Sequence, residues 1–308
     1  MTLGKTQGVS AMYHLSSHHF VTAMSAENPP AVAAESGDVL LVETMDCFGN
    51  RFYRTEQQEG EPAADNPATG PILIRQAERG DTLKVDILKI NIASQAVIEQ
   101  IAGKGCLGKL VEEDAFKIVP VEQGHVRLGD LDIAVRPMIG VIGTATPECT
   151  STLTPGAHGG NMDCSNITEG ATVYLPVLED GGYLALGDLH AVMADGEIGY
   201  SGAEVCGSVL LRVTVLKHVC LQYPVVKEGA YYYFIASADS LDEAAEKASI
   251  QLAEYLTEYG GMTSSEAVMA LNLIGSLGIC QAVNPQKTVK LQIHESWLKH
   301  RFLVACSV

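Results

Sequence analysis

An aspartate and a histidine stand at the end of a short apolar run in the middle of this 308-residue sequence. The run GGYLALGD predicts a β-strand, and Asp188 and His190 lie at its end. Side chains two apart on an extended strand point to the same side, so a carboxylate and an imidazole would lie together here. Zinc and other divalent transition metals accept that pair of ligands. The spacing alone also fits a strand end with a hydrogen-bonded histidine.

The run HGGNMD, from His158 to Asp163, precedes another predicted strand. Gly159 and Gly160 can adopt positive φ angles and let the backbone come close to a ligand. Backbone N–H groups here could polarise the carbonyl oxygen of an amide, and Asn161 and Asp163 could accept hydrogen bonds from its NH2 group. A Gly-Gly-Asn turn without any ligand has the same spacing.

Four more acids follow apolar runs or short turns. Glu43 and Asp46 end the run VLLVETMD, and a carboxylate buried at such a strand end costs free energy unless it is paired or metal-bound. Glu197 and Glu204 follow glycine-containing turns, and either could act as a general base whose pKa is raised by desolvation. For each of these acids a solvated turn is the alternative.

Composition limits the possible partners of the protein. The formal net charge is −17, and 47% of the residues are apolar. Such an excess of acid argues against binding of nucleic acid or of an anionic membrane, because phosphate binding depends on Lys and Arg. We therefore expect a small ligand that is neutral or cationic.

The sequence also indicates a compartment. No window reaches the roughly 18 apolar residues of a membrane span, and the N-terminal MTLGKTQGVSAMYHL has no apolar signal region. None of the eight cysteines forms a C-x-x-C pair, so zinc-ribbon and redox motifs are missing. The cysteines are expected to be mostly buried and reduced. We predict a cytoplasmic protein with no membrane partner.

Several catalytic templates are absent from the sequence. It contains no G-x-S-x-G nucleophile elbow, no phosphate loop and no G-x-G-x-x-G fingerprint. It also has neither the Ser-Ser-Lys arrangement of signature amidases nor the Glu, Lys and Cys of the nitrilase type. These absences argue against nucleotide handling and against those two amidase mechanisms.

The apolar pattern predicts an α+β fold that is mainly β. Short β-branched runs bounded by Gly and Asp indicate many strands, in sandwich- or barrel-like sheets. A smaller α+β portion contains two late helices, one capped by Ser240 and one running from Thr263 to about Ile274. The Glu-Asp-Gly-Gly turn between ATVYLPVL and GGYLALGD predicts a hairpin.

Two domains are predicted: a β-rich domain over 1–220 that carries the active site, and an α+β portion over 221–308. A single intertwined unit is the alternative. Between two predicted strands, NRFYRTEQQEGEPAADNPATGP is polar and rich in Pro, Gly and Asn. It predicts a long surface loop, and ordered loops of that length are disproportionately functional.

Six motifs occur in a fixed order from about position 35 to 205. They are GDVLLVETMDCFGN (Gly37 to Asn50), NPATGPI (Asn66 to Ile72) with GD at Gly80 and Asp81, RPMIGVIGTA (Arg136 to Ala145), HGGNMD, YLPV (Tyr174 to Val177), and GDLHAVMADGE followed by AE at Ala203 and Glu204. In these motifs and their order, the chain resembles the acetamidase/formamidase family. The resemblance covers most of the chain, and the late helices fit it.

The resemblance implies a hydrolase that converts a short amide into a carboxylate and ammonia, assisted by a divalent metal. The candidates on motif positions are Asp46, His158, Asp163, Asp188, His190, Glu197 and Glu204. We predict a metal bound by Asp46, His158, Asp188 and His190, with zinc as the ion and calcium as the alternative. We predict catalysis by Asn161, Asp163, Glu197 and Glu204, and substrate binding by Gly159 and Gly160.

One position departs from the family pattern. Met193 stands where the form G-D-x-H-A-x-Q-G-D-G-E has Gln, and Ala194 replaces the following Gly. These two replacements are expected to change the local turn and the substrate preference.

The apolar balance and the size of the chain further predict a homodimer or a larger homo-oligomer.

Two other functions fit the same residues. The first is a non-catalytic β protein that binds a metal or a small ligand, with GDLH as a calcium-type turn. Calcium prefers more oxygen ligands than a site with an imidazole offers, so His190 argues against it. The second is a hydrolase of cyclic amides, which would differ in the shape of its pocket.

Overall fold

A computed structural model describes residues 11–53 and 64–298 of the chain. Within these ranges the strands are β1 (Met12–Leu15), β2 (Phe20–Val21), β3 (Ala23–Met24), β4 (Val32–Ala34), β5 (Val39–Thr44), β6 (Ala68–Ile74), β7 (Thr82–Ile92), β8 (Gln95–Gln100), β9 (Ala115–Glu122), β10 (His125–Leu128), β11 (Leu131–Ala134), β12 (Met138–Gly143), β13 (Thr150–Ser151), β14 (Gly159–Asn161), β15 (Thr172–Pro176), β16 (Leu184–His190), β17 (Glu204–Val205), β18 (Gly207–Leu216), β19 (Val225–Glu228), β20 (Tyr231–Ala238), β21 (Ser276–Gln281) and β22 (Lys287–His294). The helices are α1 (Leu241–Glu258) and α2 (Ser264–Ile274).

Two large sheets contain most of these strands. The first has nine strands in the order β1-β5-β18-β7-β15-β19-β20-β22-β21. The second has eleven: a path β11-β10-β9-β8-β17-β16-β12-β14, with β6 paired to β16 and carrying β2 and β4. Strand β5 alternates half-buried and buried residues, as expected for a strand with one face on the core. Strands β12 and β16 are buried at every position, so both of their faces are covered.

The two sheets share one apolar core. Val85 and Leu211 of the first sheet belong to the same buried cluster as Ile139 and Leu186 of the second. The sheets therefore pack as a sandwich, and in the described part of the chain neither closes into a barrel. This confirms the predicted α+β class with a dominant β part.

Both predicted helices are confirmed, and each has the side-chain cap that its sequence suggests. The hydroxyl of Ser240 accepts a hydrogen bond from the backbone N–H of Glu243 at the start of α1. Thr263 and Glu266 form a reciprocal capping box on α2. Helix α1 packs on β20 and β22 through a second apolar cluster. Neither helix is long and apolar enough to cross a bilayer.

The hairpin predicted around the Glu-Asp-Gly-Gly turn is wrong. Strand β15 pairs with β7 and β19 in the first sheet, whereas β16 pairs with β6, β12 and β17 in the second. The turn exists, with positive φ at Gly181, Gly182 and Tyr183, but it carries the chain from one sheet to the other. Local turn chemistry cannot report this, because the partners of both strands are distant in sequence.

The domain boundary predicted at position 220 falls between β18 and β19, which both belong to the nine-stranded sheet.

Of the predicted long loop, residues 54–63 lie outside the described part of the chain, as does Cys306. Asp65 and Asn66, close to the end of that loop, line a cavity. The predicted loop extends too far, because its last four residues, from Ala68 on, are buried in β6, and the described residues just before that strand reach the cavity.

Gly187 sets the distance between β16 and the chain that leads into β6. A Cβ atom at Gly187 would lie 2.4 Å from the carbonyl oxygen of Pro67, which is far closer than real contacts allow. The next residue, Asp188, is a candidate site residue. The absence of a side chain at Gly187 therefore helps to place that carboxylate.

We predict that Gly187→Ala lowers the free energy of unfolding by about 1–3 kcal/mol, because the added methyl forces two backbones apart. Urea denaturation measures the difference. Gly199→Ala is the control, since a Cβ there meets no atom within 4 Å, and its effect should stay within about 0.5 kcal/mol. Equal stability of the two variants would contradict the prediction.

Candidate active site

Strands of the second sheet bring the candidate residues together. Asp188 and His190 end β16, and Glu204 begins β17, where it is the cross-strand partner of His190. Asp163 follows β14 by two residues, and Glu197 lies in the connection between β16 and β17. Strands β17, β16, β12 and β14 are successive neighbours, so residues distant in sequence meet at one place.

His190 is the centre of this cluster. Its Nε2 atom lies 3.1 Å from Oε2 of Glu204, 3.4 Å from Oδ1 of Asp188 and 3.8 Å from Oδ1 of Asp163. None of these four side chains is more than 5% exposed. Asp188 and His190 thus lie together, as their spacing predicted, and the structure adds two further carboxylates around the same nitrogen.

Two trios of potential metal ligands adjoin each other. One ligand atom each from Asp163, His190 and Glu197 lies within 4.8 Å of the other two. The same holds for the thiol of Cys47 with carboxylate oxygens of Asp188 and Glu204. Because His190 also contacts Asp188 and Glu204, the two trios form one continuous cluster.

The backbone at three of these acids is unusual. Asp163, Asp188 and Glu197 have φ angles of 42°, 56° and 46°. This left-handed region costs about 1–2 kcal/mol for a residue with a Cβ atom. Such conformations persist only where the surrounding structure holds them, and they cluster at functional sites.

Two glycines leave room for the acids and the imidazole. A Cβ atom at Gly140, in β12, would lie 2.5 Å from Oδ1 of Asp163 and 2.7 Å from Oδ2 of Asp188. A Cβ atom at Gly202 would lie 2.5 Å from Nδ1 of His190. Only glycine fits at these positions, so the backbone itself forms part of the wall around the cluster.

Burial changes the acid–base behaviour of the cluster. It raises the pKa of Asp163 to about 6, helped by the charge of Asp188, and the pKa of Asp188 to about 6, helped by the charge of Glu204. Burial, followed by the charge of Asp163, raises the pKa of Glu197 well above its usual value. At His190 burial favours the neutral ring, but the charges of Glu204 and Asp188 outweigh it and raise the pKa well above 6.5.

Several buried atoms of the cluster have no hydrogen-bond partner among the described residues. They are Oδ1 of Asp163, Nδ1 of His190 and Oε2 of Glu197. Leaving a buried acceptor unpaired costs about 1–3 kcal/mol, and more when it is charged. A divalent cation would give the unpaired carboxylate oxygens a partner. Carboxylates and an imidazole are ligands that such a cation accepts together, so the donor set fits one.

A small cavity opens onto the cluster. Its volume is about 90 Å³, enough for a few water-sized groups. The lining residues are Cys47, Phe48, Asp65, Asn66, Glu99, Leu153, Asn161, Asp163, Asp188, His190, Glu197, Tyr200, Ser201, Glu204 and Asn284. A cavity of this size admits only a small molecule.

The remaining predicted residues lie at different distances from the cluster. Asn161 lines the cavity, and its buried Oδ1 has no hydrogen-bond partner. Gly159 and Gly160 have positive φ, as predicted, and a Cβ atom at Gly159 would lie 2.3 Å from the carbonyl oxygen of Ile142. Close packing of β14 on β12 thus requires Gly159. Substrate binding by these two glycines stays a prediction.

Asp46 and His158 do not line the cavity. One oxygen of Asp46 accepts hydrogen bonds from the backbone N–H groups of Phe48 and Asn50, and burial raises the pKa of Asp46 to about 6. Burial lowers the pKa of His158 to about 4, which keeps the ring neutral. Their role as metal ligands stays a prediction.

Several residues that line the cavity were not predicted from the sequence, among them Cys47 and Asn284. Cys47 adjoins Asp46, and burial together with the charges of Glu204 and Asp188 raises the pKa of its thiol. Asn284 comes from the turn between β21 and β22, where its Nδ2 donates hydrogen bonds to Oδ2 of Asp163 and to the backbone oxygen of Asn161. Its only sequence signal is the turn-forming Asn-Pro in QAVNPQ.

Fold and site together define a class of protein: a β-rich protein in which buried acids and an imidazole lie beside a small cavity. A sequence profile described as the acetamidase/formamidase family matches residues 145–283. A formamidase from Methylophilus methylotrophus is 34% identical over 137 residues, a stretch that spans 38% of this chain and only about a third (34%) of that relative's length.

Two solved structures resemble the whole chain. A predicted acetamidase/formamidase from Thermoanaerobacter tengcongensis has 43% identity and a TM-score of 0.90, covering 94% of this chain and 98% of its own. An acetamidase from Bacillus halodurans has 40% identity and a TM-score of 0.87, covering 92% and 98%. The chain therefore belongs to the acetamidase/formamidase family.

The raised pKa values predict how stability varies with pH in metal-free protein. Between about pH 4 and 6 the folded protein retains protons on Asp163 and Asp188 that the unfolded chain has lost. Their contribution to stability is therefore full below about pH 4 and falls as pH rises through 6. The free energy of unfolding of the wild type should therefore fall between pH 4 and pH 6.5. In Asp188→Asn this fall should be smaller, by at most about 3 kcal/mol, because one of the two titrating carboxyls is gone.

Urea titrations of chelator-treated protein at the two pH values measure this difference. His158 works in the opposite direction, because its lowered pKa makes the folded state bind fewer protons between about pH 4 and 6.5. The comparison with Asp188→Asn cancels that contribution, since His158 is present in both proteins. An identical pH dependence of the two proteins would contradict the prediction.

Proposed function

We propose that this protein hydrolyses a small linear amide, such as formamide or acetamide, to a carboxylate and ammonia, with a divalent cation held at His190. The observation that carries the proposal is the single imidazole nitrogen facing three buried carboxylates beside a cavity of about 90 Å³. A small uncharged amide suits both the size of this cavity and its negative surroundings. The similar proteins bear the names formamidase and acetamidase, which supports the same reaction.

The spacing of the donors around His190 supports a metal site. Tetrahedral zinc, with bonds of about 2.0–2.2 Å to nitrogen and oxygen, needs ligand atoms about 3.3–3.6 Å apart. The distances from Nε2 of His190 to the three carboxylate oxygens are 3.1, 3.4 and 3.8 Å. These distances bracket the tetrahedral spacing, so Asp163, Asp188 and Glu204 join His190 as the proposed ligands, and the unpartnered Oδ1 of Asp163 would gain a partner.

The chemistry of the donors favours zinc over calcium. Calcium takes six to eight oxygen ligands, whereas an imidazole with a few carboxylates is a common zinc set. When bound, such a cation polarises a carbonyl oxygen and lowers the pKa of a water molecule. Its positive charge would also offset the repulsion among the carboxylates that surround His190.

Other side chains of the cavity would orient the amide and move protons. The unpartnered Oδ1 of Asn161 can accept a hydrogen bond from the NH2 group of the substrate. Glu197, whose pKa lies well above its usual value, holds a proton more readily than an exposed glutamate does and can donate it to the leaving nitrogen. Its location beside Asp163 and His190 puts this proton next to the reacting group.

Two properties of the whole protein are also proposed. A homodimer or larger homo-oligomer would cover exposed apolar side chains of α2 and β21 such as Met269, Leu273 and Leu277. A cytoplasmic location fits the cysteines, because the seven in the described residues are all free thiols, although only Cys164 and Cys280 are buried and the expectation of mostly buried cysteines is wrong. Gel filtration and fractionation of cells measure the two properties.

We predict that removal of the metal abolishes most of the activity. Dialysis against a chelator should lower the rate of ammonia release from formamide or acetamide by at least about 100-fold, because a carbonyl or water then lacks its activating charge. Zinc should restore the rate at about one ion per chain. An unchanged rate in protein shown by elemental analysis to be metal-free would refute the metal role.

Analysis of the protein as purified, before any chelator is added, distinguishes an enzyme from a binding protein. If elemental analysis finds calcium and no transition metal, and none of a series of C1 to C4 linear amides releases ammonia, the protein is a binding module. Ring opening of lactams by the same preparation, without action on linear amides, would instead indicate a cyclic-amide hydrolase.

We predict that His190→Ala and Asp188→Asn each lower kcat/KM for the best amide by at least about 100-fold. His14→Ala is the control, because His14 pairs with Glu43 at the surface and its loss should change the rate by less than about twofold. Ammonia release and the metal content of each variant are measured together. Full activity of both site variants would show that the reaction occurs elsewhere.

A further inference from the structure

Lys290, in the middle of β22, is a buried cation close to the site. The residue is 7% exposed. Its Nζ atom lies 2.7 Å from a carboxylate oxygen of Asp195, 2.7 Å from Oδ1 of Asn166 and 3.4 Å from Oγ of Ser165. An ammonium group has three donors, so these three partners can satisfy it.

The partners of Lys290 lie in two separate loops that carry the site acids. Ser165 and Asn166 follow Asp163 by two and three residues, and Asp195 precedes Glu197 by two. The two loops also contact each other directly, because Oγ of Ser165 donates a hydrogen bond of 2.6 Å to Asp195. One ammonium group therefore joins the segment after Asp163 to the segment before Glu197.

These two segments have little regular structure of their own. Asp163 and Glu197 both have left-handed φ angles, which the surrounding contacts must hold in place. Strand β21 supplies part of this support, since the N–H of Gly196 donates to the oxygen of Cys280 and the N–H of Ala282 donates to the oxygen of Gly196. Lys290 supplies a contact that reaches both loops at once.

The loop after Asp163 also forms hydrogen bonds with two charged side chains nearer the surface, Glu228 and Arg136. Nδ2 of Asn166 donates to Glu228 at 2.7 Å, and Arg136 contacts both Glu228 at 2.6 Å and the backbone oxygen of Ser165 at 2.7 Å. These bonds fix the outer side of that loop only. Among the charged side chains with described contacts here, Lys290 is the one that also fixes Asp195.

We propose that Lys290 is a positioning residue, which holds the loops of Asp163 and Glu197 at the separation that the site requires. The proposal rests on the proposed function, because it takes Asp163 and Glu197 as working groups of an amidase. A role in stability alone is the competing explanation, since buried ion pairs are often replaceable by apolar residues without loss of stability.

The test compares Lys290→Met, which keeps length and removes charge, with Lys247→Met on α1. Lys247 pairs with Glu243 at the surface of α1 and contacts neither loop. Three quantities are measured in both: kcat and KM for ammonia release, zinc affinity by competition with a chelator, and amide hydrogen exchange in residues 162–168 and 194–199.

We expect Lys290→Met to lower kcat and zinc affinity by about 10–100-fold, the range found when outer partners of metal ligands are removed. KM should change by less than about threefold, and hydrogen exchange should increase in the two loops and not in β5. Lys247→Met should match wild type. A Lys290→Met protein that melts at a lower temperature, but keeps wild-type kcat, zinc affinity and loop exchange, would overturn the proposal.

A second variant keeps the test decisive if Lys290→Met does not fold. Asp195→Asn retains an acceptor for Lys290 while removing the charge, and its side chain is 50% exposed, so folding should tolerate it. The same loss of kcat and increase in loop exchange are expected. If wild type releases no ammonia from any amide, the proposed function fails, and hydrogen exchange in the loops still decides whether Lys290 positions them.

Discussion

The main constraint on the structure is the mutual repulsion of the carboxylates that are buried around one imidazole. Asp163, Asp188, Glu197 and Glu204 lie in a space where each negative charge disfavours the others, and His190 alone opposes them from within. Burial moves the pKa values of three of these acids upward, so without a cation the cluster lowers its charge by keeping protons. The rest of the fold has to hold these groups together against that repulsion.

The two sheets provide this support in different ways. The second sheet supplies the strand ends that present the acids, and glycine at positions 140 and 202 lets the backbone approach them closely. The first sheet contributes hydrogen bonds. Asn284, in the turn between β21 and β22, bonds to Asp163, and Lys290 of β22 bonds to Asp195. The chain passes between the sheets at Gly181 and Gly182, directly before β16. A site made from one sheet alone would lack its hydrogen bonds to Asp163 and to Asp195.

Sequence alone could predict the mainly β fold, both helices with the Ser240 cap of the first, and the closeness of Asp188 and His190. These features follow from local periodicity, capping residues and the alternation of side chains along a strand. The false hairpin shows the limit of that reasoning, since a turn does not specify which strands will pair. Asn284 and Cys47 were missed for a similar reason: their importance comes from contacts across more than a hundred residues, which no local pattern contains.

The family motifs placed seven candidate residues, and five of them meet around one point in the structure. Asp46 and His158 lie just outside the cavity, because one oxygen of Asp46 is used by its own turn and His158 packs beside Gly160. Motif membership identifies residues that a family needs, without distinguishing those that touch a ligand from those that shape the loops nearby. The cavity lining separates the five residues that meet at His190 from Asp46 and His158, whose part in metal binding stays a prediction.

The use of β22 at the site has a consequence for how the protein is made. The residues that line the cavity beside His190 range from Cys47 to Asn284, and Lys290 of β22 holds two of their loops, so a ribosome must synthesise the chain past β22 before the site can assemble. An incomplete chain would carry the acids without the strand that holds their loops. The buried cluster around His190 therefore forms only late in synthesis, and until then a nascent chain would expose these carboxylates to water.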